Sequence, residues 1–161
     1  MTQKQLTGIA GVYFVAGELS KKGYIALTTS RNTESYDLLV FNPKTKKSIP
    51  IQVKSTNQQR ENYLDDGYLG EKINQENIDN DLKFIDTAFV YVYFTLDGKT
   101  RYFIIPLNVH KEILKKRWNE YINESKHRKS IEEIKKNLKP IGPWLKHLKE
   151  YENKWDLLGL D

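Results

Sequence analysis

The chemistry in this chain is concentrated in Asp37 and, after fourteen intervening residues, the tripeptide Gln52-Val53-Lys54. Asp37 heads an apolar run, and Gln52 and Lys54 alternate with Ile51 and Val53 at the end of a second run. Side chains alternate across a strand, so Gln52 and Lys54 point to one face, and a hairpin of this length brings that face beside Asp37. Phosphodiester cleavage uses such a group. A carboxylate holds a hard divalent cation, usually magnesium, which keeps some of its own water. The cation polarises the phosphate and lowers the pKa of an attacking water. A nearby ammonium orients that water or stabilises the charge that builds on phosphorus. Arg31 and Asn32, in the polar loop ahead of Asp37, are candidates for contact with a phosphate or base.

These residues need a scaffold, and the sequence outlines one. Ile9, Val12, Val15, Ala16 and Leu19 recur at helical spacing, so a helix is expected over 8–22, with Lys21 and Lys22 suiting its C-terminal dipole and Gly23 closing it. Strands are expected over 24–28, 37–41 and 48–54, with Asn42-Pro43 opening a turn and Pro50 suggesting an edge or a bulge. Residues 56–83 are polar and read as a long loop, alone or with a weak helix near 70–82. Strands resume over 88–94 and 101–105 about an Asp97-Gly98 hairpin turn. A helix over 107–122 carries Ile113, Leu114, Trp118 and Ile122 on one face. Residues 123–139 are lysine-rich, Pro140-Ile141-Gly142-Pro143 breaks the chain, and a last helix with Trp144, Leu145, Leu148 and Tyr151 leads to Trp155-Asp156-Leu157-Leu158, which should dock on the sheet.

The order Gly8, Gly11, Gly23-Tyr24, Arg31-Asn32-Thr33, Asp37-Leu38-Leu39-Val40, Ile51-Gln52-Val53-Lys54 resembles the PD-(D/E)XK nuclease superfamily, which includes restriction endonucleases and Holliday-junction resolvases, in its D…QxK form. The resemblance covers residues 8–105. It implies an α/β fold with a mixed central sheet, flanking helices and an αβββαβ core over 1–106, followed by a helical extension over 107–161 packed on that core. It also implies that Asp37 is the main metal ligand, that Gln52 adds a side-chain oxygen and Val53 its carbonyl, and that Lys54 is the catalytic lysine, with Mg²⁺ or Mn²⁺ as cofactor and DNA as substrate. Relatives that cut two strands often act as homodimers. Resolvase-like relatives place a glutamate in the first helix, eleven residues before the Gly-aromatic pair. Here that position is Val12, and Glu18 lies about 240° further round the helix.

Composition narrows the alternatives. There is no cysteine, which excludes disulfides and thiolate metal sites, and three histidines scattered among lysines argue against a histidine-rich zinc centre. The net charge is +5, with 13 basic against 12 acidic residues in 1–106 and 13 against 9 in 107–161, a surplus that suits an anionic partner. The opening Met-Thr-Gln-Lys-Gln-Leu has no signal-peptide core and no run approaches membrane length, so a soluble cytoplasmic protein is expected. Three functions stay open: a metal-dependent DNA endonuclease of restriction, repair or defence type; an attenuated nuclease-like module that binds nucleic acid or a protein; and a structural subunit. The lysines of 111–149 read first as solvated faces of amphipathic helices, with phosphate contact as the alternative. Glu18 reads as a solvated residue, and Asp65, Asp66 and Glu71 are the loop carboxylates that could complete a site.

Overall fold

The computed structural model of the chain describes residues 1–30, 36–57, 87–125, 130, 132–133, 143 and 145–161. Helix α1 spans Gln3–Lys21, five residues earlier than hydrophobic spacing indicates. A polar device sets the start: the Thr2 side chain accepts from the Gln5 N–H while Gln5 reaches back to the Thr2 N–H, a capping box that satisfies two orphan donors. Gly23, at φ +90, follows the C-cap, and the Tyr24 N–H returns to the Leu19 carbonyl at 3.1 Å.

The sheet contains β1 (Ile25–Thr28), β2 (Leu38–Phe41), β3 (Ser48–Thr56), β4 (Ala88–Phe94) and β5 (Thr100–Pro106), lying side by side in that order. All neighbours are antiparallel except β3 and β4, which run parallel from Ile51↔Ala88 to Thr56↔Tyr93. The fold is therefore α/β, with a mixed five-stranded sheet and flanking helices. Pro50 sits inside a central strand instead of at an edge, opposite Leu39. The place is tolerable because β4 begins only at the level of Ile51, so no ladder partner waits for the missing N–H on that side.

Each face of the sheet has its own apolar layer. On one, α1 packs Val15 and Leu19 against Leu38, Val40, Ile51, Val53, Val90 and Val92. The most buried row of α1 is Thr7, Gly11, Val15 and Leu19, with Val12 and Ala16 half-buried beside it. Gly11 explains the close approach: an added Cβ would lie 2.5 Å from the Ser55 side chain, whose Oγ donates to the Thr7 carbonyl at 2.9 Å. On the other face, α2 (Leu107–Ser125) lays Ile113, Leu114 and Trp118 over Phe89, Tyr91, Tyr93, Phe103 and Ile105.

The C-terminal residues return to the sheet. The short helix α3 (Leu145–Leu148) joins the α2 layer, and a 3₁₀ turn over Trp155–Leu158 inserts Trp155 and Leu158 into the α1 layer. Between them Glu152 receives two 2.7 Å hydrogen bonds from Arg101 on β5, and the Asn153 N–H donates to the Tyr102 carbonyl at 2.9 Å. Leu160 closes the β2–β3 turn, its carbonyl accepting from Asn42 at 2.9 Å and Thr45 at 2.6 Å. Among the described residues no helix is long and apolar enough to cross a membrane.

Candidate active site

Asp37 stands immediately ahead of β2. Its N–H donates to the Ile51 carbonyl at 2.8 Å, although Ile51 is already the register partner of Leu38. Two successive residues thus oppose one, as in a β-bulge, and the chain bends there. The bend leaves the next ladder donor, the Val53 N–H, without a strand carbonyl to meet. The Asp37 side chain takes that place, with Oδ2 accepting from Val53 N at 2.8 Å and from Gln52 Nε2 at 2.6 Å. The opposite end of the Asp37 peptide is held by the Thr29 N–H, which donates to its carbonyl at 3.0 Å.

Gln52 and Lys54 share the sheet face covered by α2, since Ile51 and Val53 belong to the α1 layer. Gln52 is buried and Lys54 half-buried. The Lys54 charge acts on Asp37 from nearby. Burial pushes the Asp37 carboxyl above its ordinary value, and the Val53 N–H, the Lys54 ammonium and the Gln52 amide each pull it back without cancelling the rise. Asp37, Gln52, Val53 and Lys54 therefore form one electrostatic unit. Gln52 meets Asp37 as a donor through its nitrogen, so the same hydrogen bond that fixes the amide directs its oxygen away from the Asp37 oxygen it touches. Val53 presents its N–H to Asp37, and in an extended strand its carbonyl leaves on the same edge.

Beneath this unit lies a pair that the sequence pattern did not single out. His110, fully buried on α2, stacks on Phe89 with ring centroids 3.8 Å apart, and its Nε2 lies 2.9 Å from the Tyr91 hydroxyl. Phe89 and Tyr91 are the β4 register partners of Gln52 and Lys54. Burial, aided by the Lys54 charge, holds the His110 pKa down at about 3, so the imidazole is neutral. The signal was available in the spacing: His110 precedes Ile113 and Leu114 by three and four residues, which puts it on the buried stripe of α2.

On the α1 side Asp37 lines a hollow of about 140 Å³ with Ile9, Val12, Tyr13, Thr28, Thr29 and Ser30. Val12 thus borders the same space as Asp37 and is half-buried. Glu18 pairs with Lys21 at 2.9 Å. Arg31 and Asn32, and the loop carboxylates Asp65, Asp66 and Glu71, lie outside the described residues.

Among the described residues no group of three or more Asp, Glu or His side chains comes together as a metal cluster. Asp37 is the one anionic oxygen donor of this group, so a hard cation held here would need water to fill most of its shell. No family model matches the chain, and no curated protein matches it.

Proposed function

We propose that the chain is a metal-dependent DNA endonuclease with a PD-(D/E)XK-type core, hydrolysing phosphodiesters where β2 begins beside the later part of β3. The observation that carries this reading is the Asp37 carboxylate, tied to Gln52 at 2.6 Å and to Val53 N at 2.8 Å and standing in the field of Lys54. A bound Mg²⁺ or Mn²⁺ would supply Lewis acidity and a water of lowered pKa. Asp37 is the anionic ligand, held in orientation by two donors. The Val53 carbonyl would be its neutral companion, joined by the Gln52 oxygen once the amide, whose nitrogen faces Asp37, turns over. Lys54 orients the attacking water and stabilises the charge that grows on the phosphate oxygens. Arg31 and Asn32, shortly ahead of Asp37 in the sequence, are the candidates for DNA contact. Where both strands are to be cut, two such sites are called for, which a homodimer would supply.

A second reading has its own support. Val12 stands beside Asp37 where relatives carry a carboxylate, and Gln52 is neutral. A site with this little negative charge suits a module that binds nucleic acid or a protein with little or no cleavage. Titration of Mg²⁺ and Mn²⁺ against supercoiled plasmid and single-stranded DNA separates the two. Nicking that disappears in Lys54→Ala and Asp37→Asn supports the endonuclease. DNA binding without nicking supports the module, and cleavage unchanged in both variants sinks the site itself.

A further inference from the structure

α1 carries two large exposed aromatics side by side, and only one has a structural task. Phe14, 48% exposed, stands edge-on to Phe94 on β4 at 5.3 Å. Tyr13 is 65% exposed, and no hydrogen bond or ring contact engages it among the described residues. Its place is specific, because with Ile9 and Val12 it forms the α1 wall of the hollow that Asp37 borders. The facing wall is hydroxylated, built from Thr28, Thr29 and Ser30. The Thr29 hydroxyl already donates to the Tyr36 carbonyl at 2.9 Å, so toward the hollow it acts as an acceptor. The space therefore combines an aromatic face, an apolar floor and hydrogen-bonding oxygens, next to the carboxylate assigned to phosphate chemistry. At about 140 Å³ it is smaller than an ordinary small-molecule pocket and takes a single ring system.

We propose that Tyr13 is a stacking platform for one unpaired base of the bound DNA strand, so that the substrate of the Asp37 site is single-stranded or locally opened DNA. The inference rests on the nuclease-type reading of that site and deepens it. In a duplex both faces of every internal base are covered by neighbours, and no base can reach a side-chain ring without leaving the stack. An unpaired base has its face available, and stacking on an aromatic side chain accepts any base because each has a π-face. The threonine oxygens then receive the amino or imino hydrogens of the seated base, and the adjacent phosphate lies toward Asp37.

Binding is measured by fluorescence anisotropy in Ca²⁺ buffer with a short labelled single strand and with the blunt duplex of the same sequence. Tyr13→Ala keeps the helix, since the side chain is exposed and alanine is the best helix former. It is expected to weaken single-strand binding about tenfold, the scale of one base–aromatic stack. Tyr13→Phe and Tyr13→Trp should hold wild-type affinity, because the ring face and not the phenol does the binding, and duplex affinity should not move. Equal single-strand affinity in Tyr13→Ala and wild type overturns the proposal, as does an equal loss on the duplex or a Tyr13→Phe variant as weak as Tyr13→Ala. Tyr13-dependent binding with no cleavage on adding Mg²⁺ or Mn²⁺ sinks the endonuclease reading alone and upholds the platform. A wild-type protein that binds neither DNA overturns both.

Discussion

The contact between Gln52 and Asp37 gives the most direct handle on the site, because it depends on a donor. Gln52→Glu replaces an amide N–H 2.6 Å from the carboxylate with a second acceptor. Two carboxylates at that distance resist joint ionisation, so without metal the variant should lose about 1–3 kcal/mol, the scale of a broken buried hydrogen bond. A divalent cation reverses the sign, since it gains from added anionic oxygen. The melting temperature of Gln52→Glu should therefore fall below wild type in EDTA and rise with Mn²⁺ more than wild type does; identical responses would remove metal from the account of this site. His110 supplies a pH prediction. Its folded pKa, about 3, lies below the ordinary 6.5, so the unfolded chain binds the extra proton and stability is fully present above about pH 6.5. It is lost progressively as pH falls toward about 3. Burial lowers His147 in the same direction, so the residue is isolated by comparison: from pH 7 to 5, wild type should lose more stability than His110→Gln, and parallel curves would exclude His110 as the source. Asp37, Gln52 and Lys54 were legible as a group because strand alternation and hairpin length fix who faces whom. The Val53 N–H bond and the His110–Tyr91 pair were not, since they depend on a bend at Asp37 and on which helix covers β4.

At the level of elements, hydrophobic period and turn chemistry located, among the described residues, both long helices and all five strands to within about five residues. They could not show that β3 and β4 run parallel, because period-2 patterning carries no information on partner or direction. The start of α1 was missed for a similar reason, its cap being polar. The lysines of α2 were read as a solvated or phosphate-facing surface; Arg117, which that reading left aside, is buried and bonds Glu120 at 2.6 Å. Glu120 also meets His147 at 3.3 Å and Lys146 at 3.4 Å, so one carboxylate fastens α3 to α2. Partial burial raises its pKa, but Arg117, His147 and Lys146 outweigh that and bring it to about 2. Its contribution is therefore present above about pH 4.5 and is lost as pH falls toward 2. Glu120→Gln leaves Arg117 without its carboxylate and should cost about 1–3 kcal/mol in urea unfolding at pH 7, with amide exchange rising first in α3. A loss no greater than that of an exposed substitution such as Glu112→Gln would show that the cluster does not hold α3. Gly11→Ala tests the other layer. A methyl 2.5 Å from Ser55 forces α1 away from β3 and should cost a similar amount, measured by the same urea transition. Unchanged stability there would mean that the α1–β3 spacing is not tight.

For the molecule as a whole, the covering of the sheet is uneven in a way that bears on function. α2 covers β4 and β5 on the face that holds Gln52 and Lys54, while Leu27 on β1 and Leu39 on β2, register partners on one face, remain 55% and 38% exposed. The candidate site thus lies beside the end of the sheet that the described helices leave open on that face. The chain's net charge of +5 is weighted to the residues after 106, but α2 on that face carries four basic against three acidic residues, and the surplus belongs to residues outside the described ones. A phosphate backbone bound at the candidate site would meet Lys54 and be drawn by the chain's positive surplus. Its binding must then be dominated by counterion release, and the observable is the salt slope. With about four phosphates neutralised, log K falls by about 0.9 × 4 for each decade of salt, so affinity for DNA should drop about 100-fold between 50 and 200 mM NaCl. Lys54→Ala should reduce that slope by about one phosphate, whereas Tyr13→Ala should weaken single-strand binding with the slope unchanged, because stacking releases no counterions. Anisotropy titrations at four salt concentrations measure both quantities. Affinity flat across that range would mean that the basic surplus serves solubility and that a partner other than nucleic acid occupies this face.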